Sequence, residues 1–169
     1  LLVLGGCVST AEIAGYSDPK AGFSTVRAKA ASAMGQDTVW IRSRAEADAT
    51  AARVRGLVGK KTINADTAVQ VALLNNRGLQ AAYADLGISA ADAWQETMLV
   101  NPRLSVSGSA LGAPNRSFDG AIIANIMALA TQRRRVDIAA DRFRAAQLRA
   151  AEETLRVAAD TRRAWIDAA

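Results

Sequence analysis

Cys7 is the residue in this sequence best placed for covalent chemistry. It is the only cysteine of 169 residues, so no intrachain disulfide can form. It follows directly on Leu1-Leu2-Val3-Leu4-Gly5-Gly6. Two small residues, Gly5 and Gly6, stand directly before the thiol. Other reactive machinery is thin. There is no histidine, which removes the commonest general base and metal ligand. One thiol makes no thiolate cluster. Gly56 to Lys61 lacks the spacing and the hydroxyl of a phosphate-cradling loop. The carboxylates are scattered among arginines. These residues point away from an enzyme and imply no catalytic residue, no metal and no cofactor.

The order of apolar run, small residues and cysteine resembles the end of a bacterial lipoprotein signal peptide. On that reading residues 1–7 close the signal segment and Cys7 is the lipidation site. Its thiol takes a diacylglycerol, and cleavage frees its amine for a third acyl chain. Stable anchoring needs two or more chains, each buried CH₂ contributing ~0.8 kcal/mol. The earlier signal residues would lie upstream. Val8, not an aspartate, follows the cysteine, a pattern expected to sort the protein to the bacterial outer membrane.

A net charge of +5 and a pI near 10.0 raise nucleic-acid binding as another function class. Arg133-Arg134-Arg135 is the densest cluster. Surfaces that read nucleic acid gather their cations on one face, whereas these arginines spread around a helix among acids. At a membrane boundary they would meet anionic head groups. The expectation is no nucleic-acid partner.

Long helices must position these groups. Alanines number 38, so the 50% hydrophobic fraction overstates the large apolar side chains. Residues 128–169 read as a long helix, with neither Gly nor Pro after Gly120. From Thr131 it would span roughly 60 Å at ~1.5 Å per residue. Val136, Phe143, Ala150, Val157 and Ala164 recur every seven residues, a seam for a neighbouring helix. A second row, Leu148, Ala151, Leu155, Ala158 and Trp165, implies a neighbour on another side. Glu152 stands four before Arg156, and Asp141 and Asp160 three before Arg144 and Arg163, pairings that mark a solvated face.

Another long helix is expected over 64–99. Asn64 is a good N-cap, with Asp66 in the first turn. Ala72, Leu79, Leu86 and Ala93 form its sevenfold row, flanked by Val69, Leu73, Tyr83, Ala90 and Trp94. Asn75-Asn76-Arg77-Gly78 interrupts the pattern. That leaves either a helix pair with a turn at Asn76 or one long helix softened over 75–78. Pro102 stops it in both cases. Residues 37–62 suggest an N-terminal helix with Ile41, Ala45, Ala49, Ala52 and Leu57 as its stripe. Residues 8–36, with Gly15, Pro19, Gly22 and Gly35, read as a linker or an extended segment.

Between the long helices, residues 101–127 read as a β-hairpin. Leu104, Val106, Gly108 and Ala110 share one face, and Arg103, Ser105, Ser107 and Ser109 the other, the period of a strand. Gly112, Pro114 and Asn115 supply a turn. Phe118, Gly120, Ile122, Ala124 and Ile126 line a return strand, less cleanly because Ile123 and Met127 fall opposite. Two strands alone are marginal in water, so this hairpin needs partners.

Together these elements resemble the TolC-like outer-membrane efflux proteins, in lipoprotein form. The most specific stretch runs from Ala65 to Ile88, ADTAVQVALLNNRGLQAAYADLGI. It is similar to a first-repeat helix of that family with its "ALxNNxxLQAA…LG" pattern. Asn101-Pro102-Arg103-Leu104 resembles the approach to the first barrel strand. Phe143 to Leu148 with Thr161 to Trp165 resembles the helix after the hairpin. The resemblance covers nearly all the chain from Cys7 on. It is closest to members serving heavy-metal or multidrug resistance-nodulation-division (RND) pumps.

What the resemblance implies goes beyond spacing. The fold expected is mainly α, with long coiled-coil-like helices and one transmembrane β-hairpin, about half of a two-repeat protomer. Three complete protomers would close one outer-membrane barrel above an α-helical periplasmic tunnel, with the second helix of this chain cut short. Apolar hairpin residues would face lipid, and Ser105, Ser107 and Ser109 the lumen. Its partners would be two further copies, a periplasmic adaptor, an inner-membrane RND-type pump and outer-membrane lipid. Conduction would be passive. The alternative is a lipid-anchored helical scaffold without channel activity. It keeps Cys7 and the helices but has no use for an alternating hairpin.

Overall fold

Capping chemistry sets the helix boundaries. The computed structural model describes residues 10–59, 63–98 and 115–169. Its helices are α1 Thr10–Ser17, α2 Phe23–Met34, α3 Arg44–Val58, α4 Ala65–Asn75, α5 Arg77–Thr97 and α6 Asn115–Ala168. The fold is mainly helical, with no strand among the described residues. Ser43 Oγ accepts from Glu46 N at 3.2 Å to start α3, and Asn64 Oδ1 accepts from Thr67 N at 2.8 Å to start α4. Each satisfies an N–H that the first turn leaves unpaired. Asn76 serves two helices. Its N–H donates to Ala72 O at 2.9 Å, closing α4. Its Oδ1 accepts from Leu79 N at 3.1 Å, opening α5. Of the two readings left open over 75–78, the chain takes a break of one residue.

Both halves of this broken helix lie antiparallel on α6. Thr97 meets Gln132, Tyr83 meets Thr154, and Trp165 Nε1 donates to Ile63 O at 3.2 Å. The seam on α5 is Leu79, Tyr83, Leu86, Ala90, Ala93 and Thr97, all buried. Steps alternating between four and three residues keep that row on one side. Val136, Ala139, Phe143, Ala150, Thr154 and Ala158 are buried on α6. Small residues on both sides let the two backbones approach. A further face of α6 receives α2, while α3 packs on α4 and α1 on α5. The Phe23 ring lies 4.9 Å from Tyr83 and 5.9 Å from Trp40, and Tyr16 meets Phe143 edge-on at 5.4 Å. Gly22 permits this approach. Its φ is 75°, and a Cβ there would stand 2.7 Å from Phe143 Cζ.

Several sequence expectations are corrected. From Thr10 onward the 8–36 segment forms α1 and α2 rather than a linker. Phe23, Val26 and Ala30 of α2 recur at helical spacing and are buried, so its glycines bracket a core helix. The helix expected over 37–62 begins only at Arg44, because the Ser43 cap sets its start. Residues 36–42 form a strap outside any helix, with Thr38 and Trp40 buried and Ile41 half-buried. Leu148 and Leu155 in the second row of α6 are 58% and 37% exposed in this single chain. Arg156 pairs with Glu153 rather than Glu152, because one carboxylate three residues back takes two of its nitrogens. Residues 101–114 of the expected hairpin lie outside the described residues. Its return strand, 118–126, has helical backbone within α6. Two strands from one chain leave both outer edges unpaired, whereas a helix pairs its backbone within itself.

Two glycines give opposite expectations. A Cβ at Gly87 would stand 2.7 Å from Trp40 Cη2, while one at Gly56 meets open space. Gly87→Val should therefore cost about 1–3 kcal/mol by overpacking. Gly56→Ala should stabilise by roughly 0.5–1 kcal/mol through helix propensity. Urea unfolding followed by circular dichroism reads both.

Candidate functional site

The strap of residues 36–42 needs backbone partners, and two glutamines supply them. Gln70 on α4 accepts from Asp37 N at 3.0 Å and donates to Asp37 O at 2.7 Å. Gln80 on α5 accepts from Ile41 N at 2.9 Å and donates to Val39 O at 2.8 Å. A primary amide offers the same donor and acceptor as a peptide group. The two side chains, one on each side of the Asn76 break, thus stand in for a neighbouring strand.

Beneath the strap runs a buried chain of hydroxyls. Thr38 Oγ1 lies 2.7 Å from Tyr83 Oη, which lies 2.9 Å from Thr154 Oγ1. Thr154 donates its proton to Ala150 O at 2.7 Å. Its oxygen therefore accepts from Tyr83, and Tyr83 accepts from Thr38. Burial pushes the Tyr83 phenol up from its ordinary value, and the two threonine hydrogen bonds offset this only in part. Its hydrogen bonds tie strap, α5 and α6 together as a polar bolt.

Charge fastens the strap from outside. The Asp37 carboxylate accepts from Arg27 Nε of α2 at 2.7 Å and from Arg53 of α3 at 2.8 Å. Burial acts to raise its pKa, but the two guanidinium groups together outweigh that and hold it below the usual range. Lys20 reaches Glu46 at 2.5 Å, and the Arg42 N–H donates to the other oxygen of Glu46 at 2.7 Å. Lys20, Arg27 and Arg53 line an open groove of about 1020 Å³ between α2 and the strap. All three cations already hold carboxylates, so the groove is not built for an anion.

The outer faces carry what the core does not use. Leu148, Leu155 and Ile166 of α6 are exposed, and their spacing puts them on one side of the helix. Arg142 and Arg149 edge a groove of about 620 Å³ between α5 and α6, with Asp85 on the other wall. At the far end of the pair, Gln132 Nε2 donates to Thr97 O at 3.5 Å across 35 sequence positions. Beside it Arg135 meets Glu96 at 3.8 Å. The chain between these contacts leaves and returns at one end of the bundle.

Cys7 and the 101–110 strand lie outside the described residues. The described residues hold no group of three metal-ligating side chains and no helix long and apolar enough to cross a membrane. Sequence reasoning missed Gln70, Gln80, Thr38 and Thr154. The signal was present at two of them: Gln70 stands beside Val69 on the buried face, and Thr154 sits between Ala150 and Ala158 in the seam. Comparison of the chain with protein-family models, with curated proteins and with solved structures finds no match in any of the three.

Tyr83→Phe should cost about 1–3 kcal/mol, since Thr38 loses its buried acceptor while Thr154 keeps Ala150. The raised pKa of Tyr83 means that its contribution is intact below pH ~10 and lost as pH rises through the higher folded value. The variant should lack that alkaline loss in urea titrations. The lowered pKa of Asp37 works in the opposite direction. Its contribution is intact above pH ~4 and lost as pH falls through the lower folded value. Asp37→Asn should be less stable at neutral pH and should flatten the acid limb of the stability curve.

Proposed function

We propose that this chain belongs to a lipid-anchored subunit of an outer-membrane efflux channel of the TolC-like kind. Cys7 carries the lipid, the helices stand in the periplasm, and three copies assemble. Substrates, metal ions or drugs, pass without energy input at this protein. An inner-membrane RND-type pump drives them through a periplasmic adaptor. The observation that carries this reading is the meeting of Thr97 with Gln132. Two long antiparallel helices are brought together at one end, on either side of residues 98–131. A barrel hairpin inserted between tunnel helices requires that connectivity. The exposed Leu148, Leu155 and Ile166 add support, because a tunnel wall needs neighbours on its outer faces.

On this reading residues 101–127 form two strands when other copies pair their edges, and the helical backbone of 115–127 gives way to the second of them. Lipid allows no unpaired backbone, so only closure of the barrel makes strands the better solution there. The helical backbone of residues 115–127 favours the second reading, a lipid-tethered helical scaffold that conducts nothing.

Light scattering on the parent gene's product, extracted from outer membranes in mild detergent, separates the two. A trimer with a strand signature in its amide infrared band is expected. A monomer that washes off once its lipid is removed would leave the scaffold. Metabolic labelling with an alkyne fatty acid should mark the product, and Cys7→Ser should abolish the mark.

A further inference from the structure

We infer that the end of the α5–α6 pair carries a docking patch for an anionic lipid surface, built from Arg133, Arg134, Trp94 and Met98. The geometry begins with the Glu96–Arg135 contact, which marks one side of the pair. Positions two apart on a helix differ by ~200°. Trp94 stands two before Glu96, and Arg133 two before Arg135. Both therefore fall on the side opposite that ion pair. Met98, one turn beyond Trp94, keeps the same face, and Arg134 flanks Arg133 on the back of α6. Trp94 is 39% exposed and Met98 46% exposed, a large apolar area to leave in water.

Charge separates this place from the rest of α6. Arg144, Arg156 and Arg163 are each paired with a carboxylate three residues before them. Arg133 and Arg134 are exposed, and neither has an ion-pair partner among the described residues, Asp137 one turn on included. Arg142 and Arg149 are unpaired too, but they edge a groove of small residues with Asp85 opposite and no aromatic ring. At this end of the pair the unpaired Arg133 and the exposed Trp94 and Met98 lie on the same side, with Arg134 flanking them.

That combination matches a lipid head-group layer. A guanidinium fork takes phosphate oxygens through paired N–H bonds. Tryptophan settles at the level where hydrocarbon meets water, and a methionine beside it can enter the acyl boundary. The patch adjoins the segment between Met98 and Thr131, which the proposed function places in the membrane. The inference rests on that reading for its orientation. Its test needs neither a trimer nor a pore, so the two fail separately.

The full chain carrying Cys7→Ser, and so no lipid of its own, would be sedimented with two kinds of vesicle. One is phosphatidylcholine alone, and the other contains phosphatidylglycerol. Binding to the anionic vesicles that weakens with added salt is expected. Arg133→Gln with Arg134→Gln should weaken it about 30-fold, from the usual surface contribution of each arginine. Arg142→Gln with Arg149→Gln makes the same change in net charge and should leave binding as it was. Trp94→Ala should also weaken binding without removing its salt dependence. Equal losses in the two arginine pairs would overturn the patch, because net charge alone would then explain the binding. So would equal binding to both vesicles, or full displacement of the chain from anionic vesicles by a short RNA.

Discussion

A buried backbone without a helix or sheet of its own must find other hydrogen-bond partners. In this chain that constraint falls on residues 36–42, and much of the fold is organised around meeting it. The strap crosses the bundle between α2 and α3, with Thr38 and Trp40 fully inside. Gln70 and Gln80 meet its peptide groups, which fixes α4 and α5 relative to the strap and so to each other across the Asn76 break. Tyr83 carries the connection on to α6. Asp37 ties in α2 and α3 through two arginines. Five of the six helices thus hang on one short non-helical segment. The surface ion pairs contribute little beside this, since exposed pairs are worth ~0–1 kcal/mol.

What the sequence made legible was whatever repeats. The sevenfold rows on α5 and on α6 identified Leu79, Leu86, Ala93, Val136, Phe143 and Ala150 as seam residues, because helical period and burial go together. Asn64 could be read as a cap from its type and place. Residues 8–36 could not be read as helix, because three glycines and a proline dominate a segment whose apolar positions are few. Its helix α2, with Val26 buried, packs on α6, a partner far away in sequence. The strap was hidden for a related reason. Ile41 and Ala45 fit a helical stripe, and nothing local reports that glutamines from two other helices will hold Asp37, Val39 and Ile41. Cross-chain polar pairing has no period, so pattern reading passes over it.

The same physics bears on residues 118–126, which read as a return strand in the sequence and have helical backbone in the single chain. Both solutions pair the peptide groups, but they need different company. The helix needs none. The strands need edges from other strands, and each chain brings two at most from this segment. Local preference is weak enough here, with Ile beside Ala, Gly and Asn, for the surroundings to decide. The outer surface of the bundle has a similar unfinished quality. Its interior closes on itself, with the Tyr83 hydroxyl chain fully partnered and the alanine seam tightly packed. Its exterior keeps Leu148, Leu155 and Ile166 in water and leaves Arg142 facing Asp85 without contact. On the proposed reading a neighbouring copy covers this row. The hairpin and the apolar row are, on that same reading, satisfied in one step, when copies assemble.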